Sequence, residues 1–306
     1  MRIAVIGAGA LGGYFGGRLA AAGHDVTFVV RGTMLDALRA GGLRITGEES
    51  IHVPHVAATD DAATVGRVSA VLVAAKTNQL GDALRHVPPL LDGGRTAVLP
   101  LQNGVEAPEL VAEVAGRDAV LPAVVRIFTK LDAPGVVRHL GGPGTLAFAE
   151  WDNRPSDRVD ALRASFADAG VGLVVPRDIW VELWNKFAFV VPFGGLGAAT
   201  GQPIGVLTGR LRHLLRACVA EVDAVGRACG VRLDAGLVDA TLAFADEMPA
   251  GSMSSLQRDL LEGRASELDA QVGAVVRLGY AAGVPTPLHE LMYEGLVARE
   301  QRAGLR

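Results

Sequence analysis

The chain has 306 residues, of which 50% are hydrophobic and 20% are charged, a length and composition typical of a folded protein with about two domains. With 29 Lys and Arg residues against 33 Asp and Glu residues, the net charge is −4, which argues against nucleic acid as a partner. Two cysteines, Cys218 and Cys229, are too few to cross-link this fold and lack the spacing of metal ligands. We therefore expect a cytoplasmic protein with two buried thiols and no metal site.

Two uncharged stretches, residues 3–17 and residues 187–209, are apolar enough to suggest a signal peptide and a membrane span. The first contains six glycines, and the second contains six glycines together with Pro192 and Pro203. These residues disfavour both the apolar core of a signal peptide and a lipid-exposed helix. We therefore predict a soluble protein without a membrane partner.

The first half of the chain, residues 1–176, alternates short apolar strands with helices, which predicts a parallel sheet with helical crossovers. A small hairpin is predicted over residues 43–53 and a helix over residues 156–169. The remaining strands are predicted at residues 2–6, 25–30, 70–74, 97–101, 120–125, 136–139, 145–149 and 172–175.

The second half, residues 177–306, shows only helical periodicity, and Gly230 and Gly283 are suited to end two of its helices. Helices are predicted at residues 180–191, 207–229, 236–247, 254–261 and 266–282. The predicted fold is therefore an α/β domain over residues 1–176 followed by an all-α domain over residues 177–306.

A glycine-rich loop, Gly7-Ala8-Gly9-Ala10-Leu11-Gly12, follows the first strand and opens the first helix. Gly7 permits a tight turn, Gly9 lets the backbone approach a pyrophosphate, and Gly12 allows the helix to pack closely on the strand. The amide groups of a helix N-terminus add donors to a bound anion. This context predicts a Rossmann-type dinucleotide-binding domain over residues 1–176, and a glycine turn without a ligand is the alternative.

Arg31 stands at the end of the second strand, where a carboxylate would bind the ribose hydroxyls of NAD. An arginine there can pair with a 2′-phosphate and favours NADP, with a solvated surface charge as the alternative. Lys76 and Asn103 follow the next two strands, and ligands of parallel sheets bind at the carboxyl ends of strands. Lys76 and Asn103 are therefore candidates to contact a cofactor or substrate, although Asn103 could instead cap the following helix.

The helical half carries further polar candidates. Lys186 lies among aromatic residues on an otherwise apolar helix. It either extends its charge to solvent or lies in a cleft, where desolvation lowers the pKa of a lysine and suits it to proton transfer. Ser254, Ser255 and Glu267 stand near the starts of two helices, where such residues commonly act as caps.

In order and separation, these motifs resemble those of the ketopantoate reductase (2-dehydropantoate 2-reductase) family across nearly the whole chain. The resemblance rests on the glycine loop, Arg31, Lys76, Asn103-Gly104, Glu182-Leu183-Trp184-Asn185-Lys186, Ser254-Ser255 and Glu267-Leu268-Asp269. It implies an NADP-dependent oxidoreductase that transfers a hydride from NADPH to the C2 carbonyl of a 2-oxo acid, converting ketopantoate to pantoate. The family often forms homodimers, so the resemblance allows a homodimer.

The resemblance also implies roles for individual residues. Lys186 would contact the substrate and protonate its carbonyl as the catalytic acid, and Glu267 would be a catalytic residue that orients the nicotinamide end of the cofactor. Asn103 would contact both cofactor and substrate, and Ser255 would bind the substrate carboxylate. The resemblance implies that NADP would be bound by Gly7, Ala8, Gly9, Ala10, Leu11, Gly12, Arg31, Lys76, Asn103 and Glu267.

One departure from the family lies in the substrate pocket. Three family asparagines that bind the substrate align with Val190, Gly194 and Ile204, which removes hydrogen bonds worth about 0.5–1.5 kcal/mol each. The loss favours a less polar 2-oxo acid, or ketopantoate held by other groups. Further alternatives are a sugar-acid or 3-hydroxyacid dehydrogenase and a non-catalytic NADP(H)-binding redox sensor.

Overall fold

The structure is a computed structural model that describes residues 1–305. The described chain divides into two compact units. Unit 1 comprises Met1–Gln102 and Ala107–Ile179, and unit 2 comprises Asn103–Glu106 and the described chain from Trp180 onward. The short segment 103–106 therefore belongs to unit 2, although the chain on both sides of it belongs to unit 1. No sequence pattern indicated this assignment.

Unit 1 contains the β-structure of the described chain. Five parallel strands in the order β5-β2-β1-β6-β7 form its central sheet, and two smaller mixed sheets have the orders β4-β3-β10-β9 and β12-β11-β8. The strands are β1 (Arg2–Ile6), β2 (Asp25–Val29), β3 (Leu43–Gly47), β4 (Ile51–Val53), β5 (Ala57–Thr59), β6 (Ala70–Val73), β7 (Ala97–Pro100), β8 (Ala123–Arg126), β9 (Thr129–Ala133), β10 (Val136–His139), β11 (Thr145–Phe148) and β12 (Gly172–Val174).

The central sheet is buried on both faces, as its β-branched, nearly uncharged strands require. Alternate residues of β1 enter different hydrophobic clusters: Ile3 and Val5 join one, and Ala4 and Ile6 join the other. The helices of this unit are α1 (Ala10–Ala21), α2 (Thr33–Gly41), α3 (Leu80–Leu84), α4 (Ala107–Ala115) and α5 (Asp157–Asp168). The parallel sheet with helices confirms the predicted α/β fold.

Three strands differ from the prediction. The strand predicted from residue 120 begins only at Ala123, and Val120 makes an isolated bridge to Val98. Pro122 explains the late start, because proline has no N–H to give to a strand ladder. Strands β5 and β9 were not predicted, since the first is three residues long and the second carries two charged residues.

Unit 2 is helical, which confirms the predicted all-α second domain. Among residues 1–305, no helix is both long and apolar enough to cross a membrane. The helices are α6 (Ile179–Thr200, whose first residue lies in unit 1), α7 (Ile204–Thr208), α8 (Arg212–Ala228), α9 (Leu237–Asp246), α10 (Ser255–Leu261), a π-helical turn (Asp269–Gly273), α11 (Ala274–Ala282) and α12 (Pro287–Arg302).

Helix α6 corrects the prediction of a helix that ends at Val191. It continues through Pro192 to Thr200, although an interior proline costs a helix about 3 kcal/mol. Residues 191–198 are all buried, so packing on every side of the helix offsets the lost backbone hydrogen bond. Glycines permit this packing: a Cβ at Gly195 would lie 2.9 Å from Val272 Cγ2.

Two other predicted helices were also wrong in extent. The helix predicted over residues 207–229 is divided into α7 and α8, because Gly209 has non-helical backbone angles. The helix predicted from residue 266 begins as the π-helical turn at Asp269. Helix α12 was not predicted at all, since its apolar residues do not fall on one face and its helical period is weak.

Candidate active site

The glycine loop has the geometry of a phosphate-binding turn. Gly7 follows β1 with a φ of +91°, a conformation that favours glycine. A Cβ at Gly12 would lie 1.9 Å from the Gly7 oxygen, whereas a Cβ at Gly9 would meet no atom within 4 Å. Gly7 and Gly12 are therefore required by the turn itself. Gly9, directly before α1, leaves backbone amides open to a ligand of the size and charge of a pyrophosphate.

Arg31 lies just after β2 in unit 1. Its side chain is 73% exposed and lies 3.7 Å from the Asp82 carboxylate. Exposed ion pairs at this separation contribute little to stability. The guanidinium is therefore accessible to an anionic ligand.

Lys76 is exposed and lies in the loop after β6. Gln102, at the end of β7, fixes this loop through its side-chain amide. The buried Gln102 Nε2 donates to the backbone oxygens of Val73 and Ala75, both at 2.9 Å. The two strand ends are thus tied together by one side chain.

Three of the residues singled out in the sequence meet in unit 2. Lys186 Nζ donates to Asn103 Oδ1 at 2.8 Å, and Asn103 Nδ2 donates to Glu267 Oε2 at 3.1 Å. All three residues are half-buried. An ammonium group can only donate and a carboxylate can only accept, so the orientation of the Asn103 amide is determined by its two neighbours. The arrangement places the Asn103 amide between the Lys186 ammonium and the Glu267 carboxylate.

The alternative of Asn103 as a helix cap is wrong. The next helix, α4, begins at Ala107, four residues beyond Asn103. The Asn103 side chain is used instead to connect Lys186 with Glu267.

The segment 103–106 that carries Asn103 is fixed within unit 2 by its neighbours. Gly104 has a φ of +109°, and a Cβ there would lie 2.7 Å from the Ala270 oxygen. Arg277 on α11 pairs with Glu106 at 2.6 Å and donates to the Asp269 oxygen at 2.9 Å. Glu106 and Arg277 carried no motif signal in the sequence.

Helix α12 fixes the other side of the cluster. The buried carboxylate of Glu300 accepts hydrogen bonds from the backbone N–H and the hydroxyl of Ser266. Ser266 Oγ in turn accepts from the Leu268 N–H at 3.2 Å. The residues on both sides of Glu267 are therefore held in place. Because α12 was not predicted, the sequence offered no signal for Glu300.

Ser254 and Ser255 have different environments. Ser254 is buried and caps α10, accepting from the Gln257 N–H at 3.0 Å, as expected of a capping serine. Ser255, the residue expected to bind the substrate carboxylate, is the first residue of α10 and is exposed. Its hydroxyl is accessible to a ligand.

The positions that depart from the family are apolar. Val190 is half-buried on α6, and Ile204 is buried at the start of α7. Gly194 is buried on α6. Neither apolar side chain can replace the hydrogen bonds of an amide.

The two cysteines differ, which corrects the expectation of two buried thiols. Cys218 is buried, and burial raises the pKa of its thiol to about 12. Cys229 is exposed, because it lies at the C-terminal cap of α8. Within residues 1–305, no group of three or more His, Cys, Asp or Glu residues could hold a metal ion.

Known proteins match the chain along most of its length. The family model described as ketopantoate reductase PanE/ApbA matches residues 3–153, and the model of the C-terminal part of that family matches residues 178–300. The chain is 35% identical over 312 residues to a 2-dehydropantoate 2-reductase of Mesorhizobium japonicum, with 94% of each protein covered.

Solved structures agree with these matches. A PanE/ApbA family ketopantoate reductase from Ralstonia eutropha JMP134 has a TM-score of 0.89 at 33% identity, covering 99% of this chain and 100% of that chain. A D-mandelate dehydrogenase, solved with NADH and anilino(oxo)acetate, has a TM-score of 0.87 with the same coverage but 21% identity. That second likeness shows the fold alone.

Together the fold and these matches define an oxidoreductase that acts on CH–OH groups, with a Rossmann-type unit and a helical unit. More particularly, the chain belongs to the ketopantoate reductase family. Family membership confirms the resemblance that the order of motifs indicated.

Proposed function

We propose that this protein reduces 2-dehydropantoate (ketopantoate) to pantoate with NADPH. The proposal rests chiefly on one observation, the Lys186–Asn103–Glu267 cluster of unit 2. A lysine ammonium bonded to an amide, which a carboxylate orients in turn, has the charge and the proton that reduction of a carbonyl requires. The relatives named 2-dehydropantoate 2-reductase support this choice of substrate.

The residues of unit 1 fit a dinucleotide cofactor. The open backbone at Gly9 suits a pyrophosphate, and a bound nicotinamide would supply the hydride. Arg31, with its accessible guanidinium, would pair with the 2′-phosphate that distinguishes NADP from NAD. Lys76 would add a second positive charge from the neighbouring loop.

The chain's own residues would act on the carbonyl group. As hydride reaches C2, negative charge develops on the carbonyl oxygen, and Lys186 Nζ would stabilise that charge and then donate its proton to the oxygen. The C–H and O–H bonds of pantoate are then complete, and Lys186 is left as a neutral amine that regains a proton from water. Asn103 would hold Nζ in position, Glu267 would orient both Asn103 and the nicotinamide end, and Ser255 would bind the carboxylate.

The test is NADPH oxidation by the purified protein with ketopantoate, with NADH assayed in parallel. We expect turnover with NADPH, and a loss of about a hundredfold or more in kcat for Lys186→Ala, because general acid catalysis contributes about 10²–10⁴-fold. Lys130→Ala is the matched control, since Lys130 is an exposed lysine of β9.

Two results would contradict the proposal. Equal kcat values for the Lys186→Ala and wild-type enzymes would show that Lys186 is not the proton donor. Binding of NADPH without turnover of ketopantoate or any related 2-oxo acid would favour the redox-sensor alternative.

A less polar 2-oxo acid is the second candidate substrate. The apolar Val190 and Ile204 favour it, because neither side chain can bond a hydroxyl group. Faster NADPH oxidation with 3,3-dimethyl-2-oxobutanoate than with ketopantoate would establish this candidate in place of the first.

A further inference from the structure

A buried side-chain amide, four residues after Glu267, has no hydrogen-bond partner within the described chain. The Gln271 side chain is 1% exposed, and neither its Oε1 nor its Nε2 has a hydrogen-bond partner among residues 1–305. An amide buried in this way is unfavourable unless it bonds something. The carboxamide is therefore available to a ligand that enters its surroundings.

Gln271 lies one turn beyond Glu267. Its N–H donates to the Glu267 oxygen at 3.1 Å, and a helical turn advances about 5.4 Å. Gln271 is the central residue of the π-helical turn Asp269–Gly273, and π-helical turns are frequent at functional sites. The amide thus belongs to the segment that carries Glu267.

The carboxamide of Gln271 packs against Gly194 of α6. A Cβ at Gly194 would lie 3.4 Å from Gln271 Oε1 and 3.4 Å from Ser254 Oγ. Lys186 stands eight residues earlier on the same helix. Because position 194 is a glycine, there is room beside α6 for the Gln271 amide. This amide therefore lies where α6, the helix that carries Lys186, meets the segment that carries Glu267.

The chemistry of this amide suits an alcohol. A carboxamide both donates and accepts hydrogen bonds, as a hydroxyl group does, and it carries no charge. Rotation about its terminal torsion, which is broad in glutamine, can turn either end toward a ligand. Ketopantoate carries one hydroxyl group, two carbons from its reacting carbonyl.

We propose that Gln271 is a specificity-determining residue whose carboxamide hydrogen-bonds the hydroxyl group of a hydroxylated, branched 2-oxo acid. The proposal rests on the proposed function, because it assigns a second contact to the substrate that Lys186 would protonate. Gln271 thereby distinguishes ketopantoate from acids that lack only the hydroxyl group.

The test compares ketopantoate with 3,3-dimethyl-2-oxobutanoate, which lacks only that hydroxyl group. Gln271→Met keeps an unbranched side chain of similar length and removes the amide. We expect it to lower the ratio of kcat/KM for ketopantoate to kcat/KM for the analogue by about tenfold, the value of one neutral hydrogen bond. The change should come from ketopantoate alone.

Gln257→Met is the matched control, because Gln257 is also a fully buried glutamine with an unpartnered oxygen, and its Nε2 bonds the Gln202 backbone. We expect this variant to keep the wild-type ratio. An unchanged ratio in Gln271→Met, or an equal loss for both substrates, would overturn the proposal. A wild-type enzyme that oxidises NADPH with neither acid would instead refute the proposed function, and this proposal with it.

A second variant serves if Gln271→Met does not fold. Gln271→Ala combined with Gly194→Asn supplies an amide to the same space from α6. Recovery of the preference for ketopantoate would support the role of an amide at this place, and a folded double variant without that preference would overturn it.

Discussion

Asn103 can orient Lys186 only because the next residue is glycine. Gly104 combines a φ of +109° with a close approach to the Ala270 oxygen, and a side chain there would push the segment away from the π-helical turn. Asn103 Oδ1 lies 2.8 Å from Lys186 Nζ, and a small displacement of the segment would break this hydrogen bond. Reaction rates are sensitive to small displacements of the residues that position the reacting groups.

In the proposed function, Arg31 determines the preference for NADPH over NADH. We expect Arg31→Ala to raise the KM for NADPH by about tenfold to a hundredfold, because a hydrogen bond to a charged group is worth about 1.5–3 kcal/mol. The KM for NADH, which has no 2′-phosphate, should change little. Steady-state kinetics with both cofactors measures the difference.

Arg85→Ala is the control for this prediction. Arg85 pairs with the same Asp82 carboxylate at 2.8 Å. Its loss therefore tests whether any positive charge near Asp82 is enough to favour NADPH. Equal KM changes for NADPH and NADH in Arg31→Ala would show that Arg31 does not bind the 2′-phosphate.

At the scale of elements, two helices hold segments that carry the Lys186–Asn103–Glu267 cluster. Arg277 on α11 pairs with Glu106 and so holds the segment of Asn103, and Glu300 on α12 holds Ser266 next to Glu267. We therefore expect Arg277 and Glu300 to be positioning residues, which act through the residues they hold.

The Arg277–Glu106 pair should affect catalysis more than stability. We expect Arg277→Ala to lower kcat by about tenfold, because Asn103 would be less firmly placed. The melting temperature should fall by only about 2–4 °C, because pairs this exposed contribute at most about 1 kcal/mol. Kinetics and thermal unfolding on the same preparation compare the two effects.

Arg212→Ala is the matched control, since Arg212 forms a similarly exposed pair with Asp246 within unit 2. It should leave kcat unchanged. Loss of kcat in proportion to the loss of stability, in both variants, would contradict a positioning role for Arg277.

At the scale of the whole molecule, each unit has its own interior. The interior of unit 1 lies on the two faces of the parallel sheet, and that of unit 2 includes the fully buried part of α6. Within unit 2, α8 and α12 are joined by the Glu221 carboxylate, which accepts from buried His289 Nδ1 at 2.6 Å and from the Leu288 N–H at 2.9 Å.

This contact predicts how stability depends on pH. Burial would raise the pKa of the Glu221 carboxyl, but hydrogen bonds from His289 and from the Leu288 N–H hold that pKa below its ordinary value. A carboxyl with a lowered pKa in the folded state stabilises the protein above its unfolded pKa, and the contribution is lost as pH falls through the folded pKa. The loss therefore begins below a pH of about 4.5.

We expect Glu221→Gln to lower the melting temperature at pH 7, and the difference from wild type to shrink as pH falls below 4.5. Thermal unfolding between neutral and acidic pH measures it. Glu290→Gln, at an exposed position of α12, should unfold as the wild type does at every pH. A difference for Glu221→Gln that stays constant with pH would show that the carboxylate charge is not what stabilises the contact.

Local patterns predicted much of the fold and part of the site. Four of the five strands of the central sheet and the glycine turn depend on apolar runs and glycine spacing, which can be read along the chain. Local patterns failed where contacts between residues distant in sequence determine the structure. Helix α6 continues past Pro192 because it is packed on all sides. The contacts of Glu106, Arg277 and Glu300 correspond to no sequence motif.

The sequence by itself determined the α/β unit, the helical unit and the dinucleotide-type turn, because each follows from residue types at short spacing. It also made Lys186, Asn103 and Glu267 candidates, Asn103 from its place after a strand and Glu267 only through the resemblance to the family. Only the tertiary structure decided that these three side chains meet, since Asn103 is 83 positions from Lys186 and 164 from Glu267. It also decided that a glutamine amide occupies the space beside Gly194. Contacts over such separations depend on how helices pack, which no local pattern specifies.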